Sequence, residues 1–303
     1  MKAKKIVIVG AGKIAYSLTD ALIKGGFEIS LVISKNIDSA RKLAHTFHIN
    51  IYSDKIDSIQ EGPYLVFISV PDSQIEIVAK KLSLSRDSFK DFVFIHLSGA
   101  FDNTLLDTLR KKKAETASLH IMQTFPSRKP ISIKGCFAAV ETRSNKTERL
   151  LFNIAKEISL KPFKLTAEEK TYYHLAGVFI SNFMIGNFFD AESIFNMKNV
   201  HTIDLMEPII TSTLKNIKHE GVKKALTGPV ERGDIGTIKK HISALKKLSL
   251  QARNNTFLLN YLSQSLNLIE ATKTKYGKSS PSHQAIKKLL NNEAKKIINK
   301  LSA

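Results

Sequence analysis

A glycine-rich turn near the start of the chain has the spacing that holds a phosphorylated cofactor. Residues 10–15 read Gly-Ala-Gly-Lys-Ile-Ala, directly after a short apolar run and at the start of an amphipathic segment. The first glycine allows a tight turn, the second lets the backbone approach a pyrophosphate, and the final small residue lets the helix pack close to the strand. The amides of Gly12, Lys13 and Ile14 would then point at the anion from a helix N-terminus. The motif predicts that Gly10 and these three residues bind a dinucleotide, and a tight turn without ligand is the alternative.

The residues after the second apolar run bear on which dinucleotide this would be. Enzymes that bind NAD usually carry Asp or Glu at the end of that strand, where the carboxylate accepts hydrogen bonds from the ribose. This chain has Ser34, Lys35 and Asn36 there, and Arg41 follows one turn into the next amphipathic segment. A carboxylate would repel a 2′-phosphate, whereas Ser34 and Lys35 would hold one, so the sequence favours NADP(H). The alternative is that Lys35 is one of many surface lysines.

Two further segments follow apolar runs and would reach the same edge of a sheet. Residues 70–72 read Val-Pro-Asp, and residues 96–99 read His-Leu-Ser-Gly. In a doubly wound sheet, ligands bind in the crevice outside the carboxyl ends of the strands. We therefore expect Val70 and Pro71 to cover the ribose and nicotinamide, and Ser98 to offer a polar contact. Ordinary strand-to-helix turns are the alternative.

The first half of the chain alternates between short apolar runs and segments of helical period. Runs such as residues 6–9 and 65–68 are continuously apolar, which is typical of strands covered on both faces of a parallel sheet. The predicted strands are Lys5–Val9, Glu28–Ile33, Tyr64–Val70, Phe92–Leu97, Thr116–His120, Phe137–Glu141 and Pro162–Leu165. The predicted helices are Lys13–Lys24, Ile37–Phe47, Ser73–Leu82, Thr104–Lys112 and Lys146–Ile158.

From Thr166 the pattern changes, and only helical segments follow. Thr166 is a good N-cap and Glu169 completes a capping box, so a helix should begin there and run to about Asn196. The later predicted helices are Leu205–Glu220, Thr237–Leu245, Leu250–Tyr276 and Ser282–Leu301. The sequence thus predicts an α/β fold class: an N-terminal Rossmann doubly wound parallel sheet over residues 1–165, followed by an all-α C-terminal domain over residues 166–303.

Hydride transfer by a nicotinamide cofactor needs a protein group that manages one proton. Lys170 and His174 are four residues apart on the predicted helix and share a face, with Asn182 near that face eight residues further on. We expect His174 to act as acid/base or substrate anchor, with Ser181 and Asn182 as hydrogen-bonding partners. The alternative is structural: residues 175–189 are so apolar that the helix could be a buried spine, in which these polar groups satisfy each other or the backbone.

A loop rich in glycine and proline separates two of the later helices. Residues 227–229 read Thr-Gly-Pro and residues 232–234 read Arg-Gly-Asp, a density that fixes a turn. Arg232 would suit a carboxylate or phosphate of the substrate. A salt bridge between Arg232 and Asp234 is the alternative that the sequence leaves open.

Several motifs together resemble one family. They lie at residues 10–15, 69–72, 96–99, 120–125, 173–183 and 225–234. Over residues 4–275 the chain is similar to bacterial proteins in which a Rossmann-like domain precedes the helical domain of unknown function 2520. These are often labelled NADP oxidoreductases and are distant relatives of pyrroline-5-carboxylate reductase and 6-phosphogluconate-dehydrogenase-like enzymes. The resemblance implies a homodimer formed through the helical domain, a site in the cleft between the domains, and a small-molecule substrate that the family does not define.

The resemblance also implies roles for individual residues. His120 becomes a candidate catalytic group and Gln123 a candidate substrate contact. The family usually has proline after this histidine, whereas Ile121 follows here. Because proline stiffens a loop, we expect His120 to be less rigidly aimed. Related hydroxyacid dehydrogenases carry Lys-x-x-x-Asn on the equivalent helix, and the partial match at Lys170 and His174 makes Lys170 a candidate catalytic residue.

The composition excludes some classes of protein. The chain has 303 residues, 43% of them hydrophobic, so it can bury a core. The formal net charge is +19, but lysine dominates and no basic motif is interleaved with aromatic residues, so we expect a solvated surface and no nucleic-acid partner. Cys136 is the single cysteine, which argues against a disulfide framework and fits a cytoplasmic location. No metal-ligand spacing, signal peptide or membrane-spanning stretch is recognised, so we expect neither a metal nor a membrane partner.

The function that the sequence favours is an NADP(H)-dependent oxidoreductase. It would transfer hydride to or from a C=O or C=N bond of an unidentified small molecule in the interdomain cleft. Two alternatives remain open. One is a reductase that exchanges hydride between NADP and a deazaflavin coenzyme, and the other is a non-catalytic NADP-binding sensor or regulatory protein.

Overall fold

The computed structural model describes residues 5–195, 201–252 and 255–301. The chain divides into two compact units, Met1–Phe183 and Met184–Ala303. The domain boundary placed at residue 165 from the sequence stays a prediction. None of the helices within the described ranges is long and apolar enough to cross a membrane.

The first unit is built on one eight-stranded sheet. In chain order the strands are β1 Lys5–Val9, β2 Ile29–Ile33, β3 Tyr52–Ser53, β4 Tyr64–Ile68, β5 Val93–His96, β6 Glu115–Ile121, β7 Phe137–Thr142 and β8 Lys161–Lys164. Their spatial order is β3-β2-β1-β4-β5-β6-β7-β8. The helices of this unit are α1 Lys13–Lys24, α2 Ile37–Thr46, α3 Asp72–Leu84, α4 Asp107–Lys111, α5 Asn145–Glu157 and α6 Ala167–Gly177.

One pair of strands departs from the predicted parallel sheet. β6 and β7 are antiparallel, and all the other pairs are parallel. A parallel return requires a crossover, usually a helix, whereas an antiparallel return does not. The connection 122–136 contains no helix, in keeping with the missing helical segment in the sequence. The two-residue strand β3 was not predicted because it is too short to give a pattern.

The two faces of the sheet differ in chemistry. One face is apolar throughout and packs against α1, α2 and α5. The other face is apolar where α3 and α4 cover it, but it becomes polar towards β7. Paired residues share a face of the sheet, and His96, Ser118 and Glu141 form one such row across β5, β6 and β7. His120 lies two residues beyond Ser118 and therefore points to the same side.

The helical segments after β8 follow the prediction with changes at their ends. Thr166 caps α6 with the predicted capping box, and a five-residue π segment, Val178–Asn182, follows α6. The later helices are α7 Phe183–Ile194, α8 Thr202–Ala225, α9 Ile235–Ala252, α10 Thr256–Tyr276 and α11 Pro281–Leu301. Asn196, the predicted end of the first of these helices, lies outside the described residues.

The predicted helix Leu250–Tyr276 is wrong at its start. Residues 250–252 end α9, and α10 begins only at Thr256. Asn255 precedes α10, and its backbone dihedral angles lie outside the helical region. Asparagine is unfavourable inside a helix because its side chain competes for backbone hydrogen bonds. The second unit has its own apolar core, formed by α9, α10 and α11 with Val230.

Candidate functional site

The turn after β1 is shaped so tightly that only glycine fits. Gly10 has a φ of +102°, and a Cβ atom built on it would lie 2.3 Å from the carbonyl oxygen of Ser69. Ser69 follows β4, so the ends of two neighbouring strands fix this contact. Gly12 has an ordinary φ, and its Cβ would meet the same oxygen only at 3.4 Å. The first glycine is therefore required by the fold, and the second leaves open space beside the turn.

The start of α1 has the properties of an anion site. Gly12 is its N-cap residue and offers no side-chain cap, and no acidic residue lies in the first turn. The first amides of a helix have no carbonyl partner within the helix, and they carry a partial positive charge. The predicted residues Lys13 and Ile14 supply two of these amides. This turn fits the pyrophosphate of a dinucleotide.

The end of β2 carries no free carboxylate within its described neighbourhood. Asn36 caps α2 by accepting from the amide of Ser39 at 2.9 Å. Arg41 lies 2.6 Å from the Asp38 carboxylate, so these two charges balance each other. The exposed Lys35 remains, together with the half-buried Ser34. These two residues fit the predicted contact with a 2′-phosphate.

The other predicted cofactor contacts lie at the ends of β4 and β5. Pro71 is the N-cap residue of α3, and it follows Val70 at the carboxyl end of β4. Ser98 is buried, and its hydroxyl accepts from the amides of Ala100 and Phe101 at 3.2 Å. That hydroxyl stabilises its own loop and could meet a cofactor only as a donor.

A buried ammonium group occupies the polar half of the sheet face. Lys170 on α6 is 1% exposed, and its Nζ donates to the hydroxyl of Ser118. The Ser118 hydroxyl lies 3.3 Å from Glu141 Oε2, which also accepts from the amide of Asn103 at 2.8 Å. The hydroxyl of Ser118 thus connects a buried cation to a buried carboxylate.

Burial shifts the pKa of each of these charged groups towards its neutral form. It lowers the pKa of Lys170 to about 8, although the negative charges of Glu141 and Asp102 oppose this shift. It raises the pKa of Glu141, against the hydrogen bond from Asn103 and the charge of Lys170. Near pH 7 Lys170 is still mainly protonated, so its ammonium group acts as a positive charge on the groups around it.

Two histidines on the same face of the sheet, His96 and His120, are neutral near pH 7. Burial, and then the charge of Lys170, lowers the pKa of His96 to about 3 and that of His120 to about 4. His96 Nδ1 accepts from the amide of Ser98 at 3.2 Å, so its proton is on Nε2, which lies 3.0 Å from the carbonyl of Asp102. His120 Nδ1 lies 3.2 Å from the Tyr173 hydroxyl.

The imidazole rings of His120 and His174 meet at Gly99. His120 and His174 have ring centroids 6.1 Å apart. A Cβ on Gly99 would lie 2.6 Å from His120 Nε2 and 2.8 Å from His174 Nδ1. A side chain at position 99 would therefore push both rings away. The backbone of His120 is paired within β6, which continues through Ile121 opposite Ala138. The expected looseness of the His120 side chain stays a prediction.

Both histidines line one cleft of about 460 Å³ within the first unit. The predicted residues Gln123, Ser181 and Asn182 line it as well, and none of its lining residues is acidic. In the single chain the helix around these residues is partly uncovered, because Leu175, Phe179 and Ile180 are exposed. A location between two domains stays a prediction.

Arg232 lies in the second unit on the loop between α8 and α9. Its alternative partner Asp234 instead caps α9, accepting from the amide of Thr237 at 3.0 Å. Among the described residues no ion pair joins Arg232 to Asp234. The neighbouring Glu231 pairs with Lys275 at 2.9 Å. The predicted role of Arg232 as a substrate contact stays a prediction.

Four residues of this arrangement have no role predicted from the sequence: Gly99 and Tyr173, which pack against the histidines, and Ser118 and Glu141, which are the partners of Lys170. Gly99 and Tyr173 lie inside the motifs at residues 96–99 and 173–183. For Ser118 and Glu141 the available signal was a polar residue within a predicted strand. A buried polar side chain normally needs a partner.

Two family models match the chain, one over each part. Residues 5–98 match a family described as NADP oxidoreductase coenzyme F420-dependent, and residues 136–256 match the domain of unknown function 2520. The chain is therefore similar to an NADP oxidoreductase family over the first of these segments and to DUF2520 over the second. This confirms the predicted resemblance. The comparison with curated proteins found no match.

Solved structures with the same architecture support the predicted fold class. A candidate NADP oxidoreductase from Bacteroides fragilis aligns with a TM-score of 0.71 and 26% identity over 86% of this chain and 97% of its own. Protein TM1727 from Thermotoga maritima aligns with a TM-score of 0.66 and 26% identity, over 89% of this chain and 99% of its own. A reductive aminase from Aspergillus terreus, solved with NADPH and ethyl levulinate, aligns with a TM-score of 0.63 and 13% identity. The alignment covers 97% of this chain and 95% of the aminase. At that identity the aminase shows a shared fold alone.

The neutral histidines predict a pH dependence of stability. Because the pKa of His96 in the folded chain lies below its ordinary value, the unfolded chain binds the extra proton first as the pH falls. The free energy of unfolding should therefore decrease from about pH 6.5 down to the folded-state pKa values near 3 and 4. In His96→Gln the slope over pH 6–4 should be shallower by up to about 1.4 kcal/mol per pH unit. Urea unfolding at several pH values measures this, with the exposed His219→Gln as the matched control. An unchanged slope in His96→Gln would contradict the assignment of a neutral buried imidazole.

Proposed function

We propose that this protein is an NADP(H)-dependent oxidoreductase that transfers hydride to or from a C=O or C=N bond of a small molecule. One observation carries the proposal. The glycine turn at the end of β1 and the histidine cluster at the ends of β5 and β6 lie on the same edge of one sheet. That edge is where a doubly wound sheet binds its ligands. The match of residues 5–98 to NADP oxidoreductases supports the same conclusion.

Each residue of the site has a proposed task. Bound at the turn, NADP(H) would supply the hydride chemistry. The amides of Gly12, Lys13 and Ile14 bind the pyrophosphate, and Ser34 and Lys35 favour NADP(H) over NAD(H). Val70, Pro71 and Ser98 would bound the ribose and nicotinamide.

His174 is the proposed acid/base. It lines the cleft together with His120, and it would give a proton to the reduced oxygen or nitrogen of the substrate or take one from it. Lys170 does not line the cleft. Its charge instead favours a neutral His120, which the Tyr173 hydroxyl orients. Gln123, Ser181 and Asn182 would position the substrate by hydrogen bonds, and Arg232 would bind an anionic group.

Nucleotide titration tests the cofactor proposal. Wild-type protein should bind NADPH more tightly than NADH in calorimetry. Gly12→Val should weaken NADPH binding by about tenfold or more, because its side chain would occupy the space that the pyrophosphate approaches. The ordinary φ of Gly12 and the room beside it mean that the thermal unfolding midpoint should change little. Wild-type protein that binds no nicotinamide nucleotide would refute the proposal.

Turnover separates an enzyme from a sensor. NADPH oxidation with imines and ketoacids, and NADP reduction with hydroxyacids, should reveal a substrate class. With a responsive substrate, His174→Ala should lower kcat by about 10²–10⁴-fold while leaving NADPH affinity within about twofold. Tyr172→Ala, on the same helix and exposed, is the matched control. Wild-type kcat in His174→Ala would remove His174 from the mechanism.

A second candidate is hydride exchange between NADP and a deazaflavin coenzyme. The description of the matched family over residues 5–98 favours it. Coenzyme F420 therefore belongs in the same assay. Its reduction by NADPH in the absence of any other substrate would favour this candidate over the small-molecule reaction.

We also propose a homodimer in the cytoplasm. The dimer is supported by apolar side chains on the π segment, α7 and α8 that are more than half exposed in the single chain: Phe179, Ile180, Ile185, Phe189, Ile209 and Leu214. Exposed apolar patches of this kind commonly mark protein interfaces. Light scattering should give twice the chain mass, and Ile185→Asp with Phe189→Asp should give one chain mass. A wild-type monomer would contradict the dimer.

The single cysteine supports the proposed location in the cytoplasm.

A further inference from the structure

The long connection between β6 and β7 reaches helices that are remote in sequence. Residues 122–136 leave β6 at its carboxyl end, the edge that also carries the glycine turn. The amide of Ile131 donates to the Ser17 hydroxyl on α1 at 3.1 Å. Ile133 is 2% exposed and belongs to the core that packs against α1, α2 and α5. This connection is therefore fixed against the nucleotide-binding half of the sheet.

Arg128, at the middle of the connection, reaches the start of α2. Its Nη1 donates to the Ser39 hydroxyl at 3.4 Å, across 89 positions of the chain. The backbone amide of Ser39 is the one that Asn36 caps. The guanidinium thus lies beside the strand end that carries Ser34 and Lys35.

The charges around this position leave Arg128 uncompensated. Arg41, the arginine that is closest to this strand end in sequence, already pairs with Asp38 at 2.6 Å. Arg128 forms no ion pair within residues 5–195, 201–252 and 255–301, and its guanidinium donates there to a neutral hydroxyl. An unpaired guanidinium offers a planar fork of donors that matches two oxygens of a phosphate.

We propose that Arg128 reads the 2′-phosphate of NADP(H) from the β6–β7 connection, opposite Ser34 and Lys35. The inference rests on the proposed function and adds the residue that decides between the two dinucleotides. The bond to Ser39 holds the guanidinium near its binding position before the ligand arrives, which lowers the entropy lost on binding. The rest of the nucleotide, which NADH shares, needs no contact from Arg128.

Calorimetry on the full chain with four probes tests this assignment. The probes are NADPH, NADH, adenosine 2′,5′-bisphosphate and AMP. Arg128→Ala should weaken the two 2′-phosphorylated probes by about 10- to 100-fold, the usual range for a hydrogen bond to a charged group. NADH and AMP should stay within about twofold. Arg128→Lys should recover part of the loss, because it keeps the charge but not the fork. The adjacent exposed Lys129→Ala is the matched control and should leave all four affinities within about twofold.

The outcomes separate this inference from the function on which it rests. If wild-type protein prefers NADPH and Arg128→Ala keeps that preference, the Arg128 assignment is overturned and the proposed function stands. Equal weakening of NADPH and NADH in Arg128→Ala would also overturn it, because the connection would then support the shared part of the nucleotide. Wild-type protein that binds neither dinucleotide, or binds both equally, would overturn the cofactor proposal together with this one.

Discussion

The burial of one ammonium group, that of Lys170, constrains the rest of the site. An isolated buried cation costs several kcal/mol, and removing its partner from a buried pair typically costs about 3–5 kcal/mol. The row of Ser118 and Glu141 across two neighbouring strands satisfies this charge. Burial, and then the same charge, lowers the pKa of His96 and His120, so these two rings do not compete with Lys170 as cations. Stability and chemistry at this face have the same electrostatic origin.

Close backbone approach is the second constraint, and it occurs at both ends of the site. At Gly10 the limit is the carbonyl of Ser69, and at Gly99 it is the pair of imidazoles. In each case the missing side chain lets a strand end come within contact distance of a neighbour. The two positions lie at the carboxyl ends of β1 and β5. The sheet therefore brings a phosphate-binding turn and two titratable rings to one edge without requiring a long loop at either place.

Local sequence patterns predicted the parts of this architecture that depend on local physics. The continuous apolar runs gave β1, β4 and β5 because strands buried on both faces must be apolar. The four-residue spacing placed Lys170 and His174 on one helical face. What could not be predicted depends on which strands pair and in what register. The antiparallel return of β7, the contact of Glu141 with Ser118 and the reach of Arg128 to Ser39 join segments that are distant in sequence, and no local periodicity records them. The exposure of apolar side chains at residues 175–189 in the single chain could not be predicted for the same reason, since apolarity predicts burial without identifying the surface that covers the side chain.

The concealment of Lys170 has a consequence for chemical labelling of a chain whose surface is crowded with lysines. Amine-reactive reagents modify side chains that solvent can reach, and Lys170 is almost completely covered. In the folded protein we expect Lys170 to stay unmodified while many exposed lysines react. Its acylation would require α6 to separate from the sheet, so this single position records the opening of the first unit.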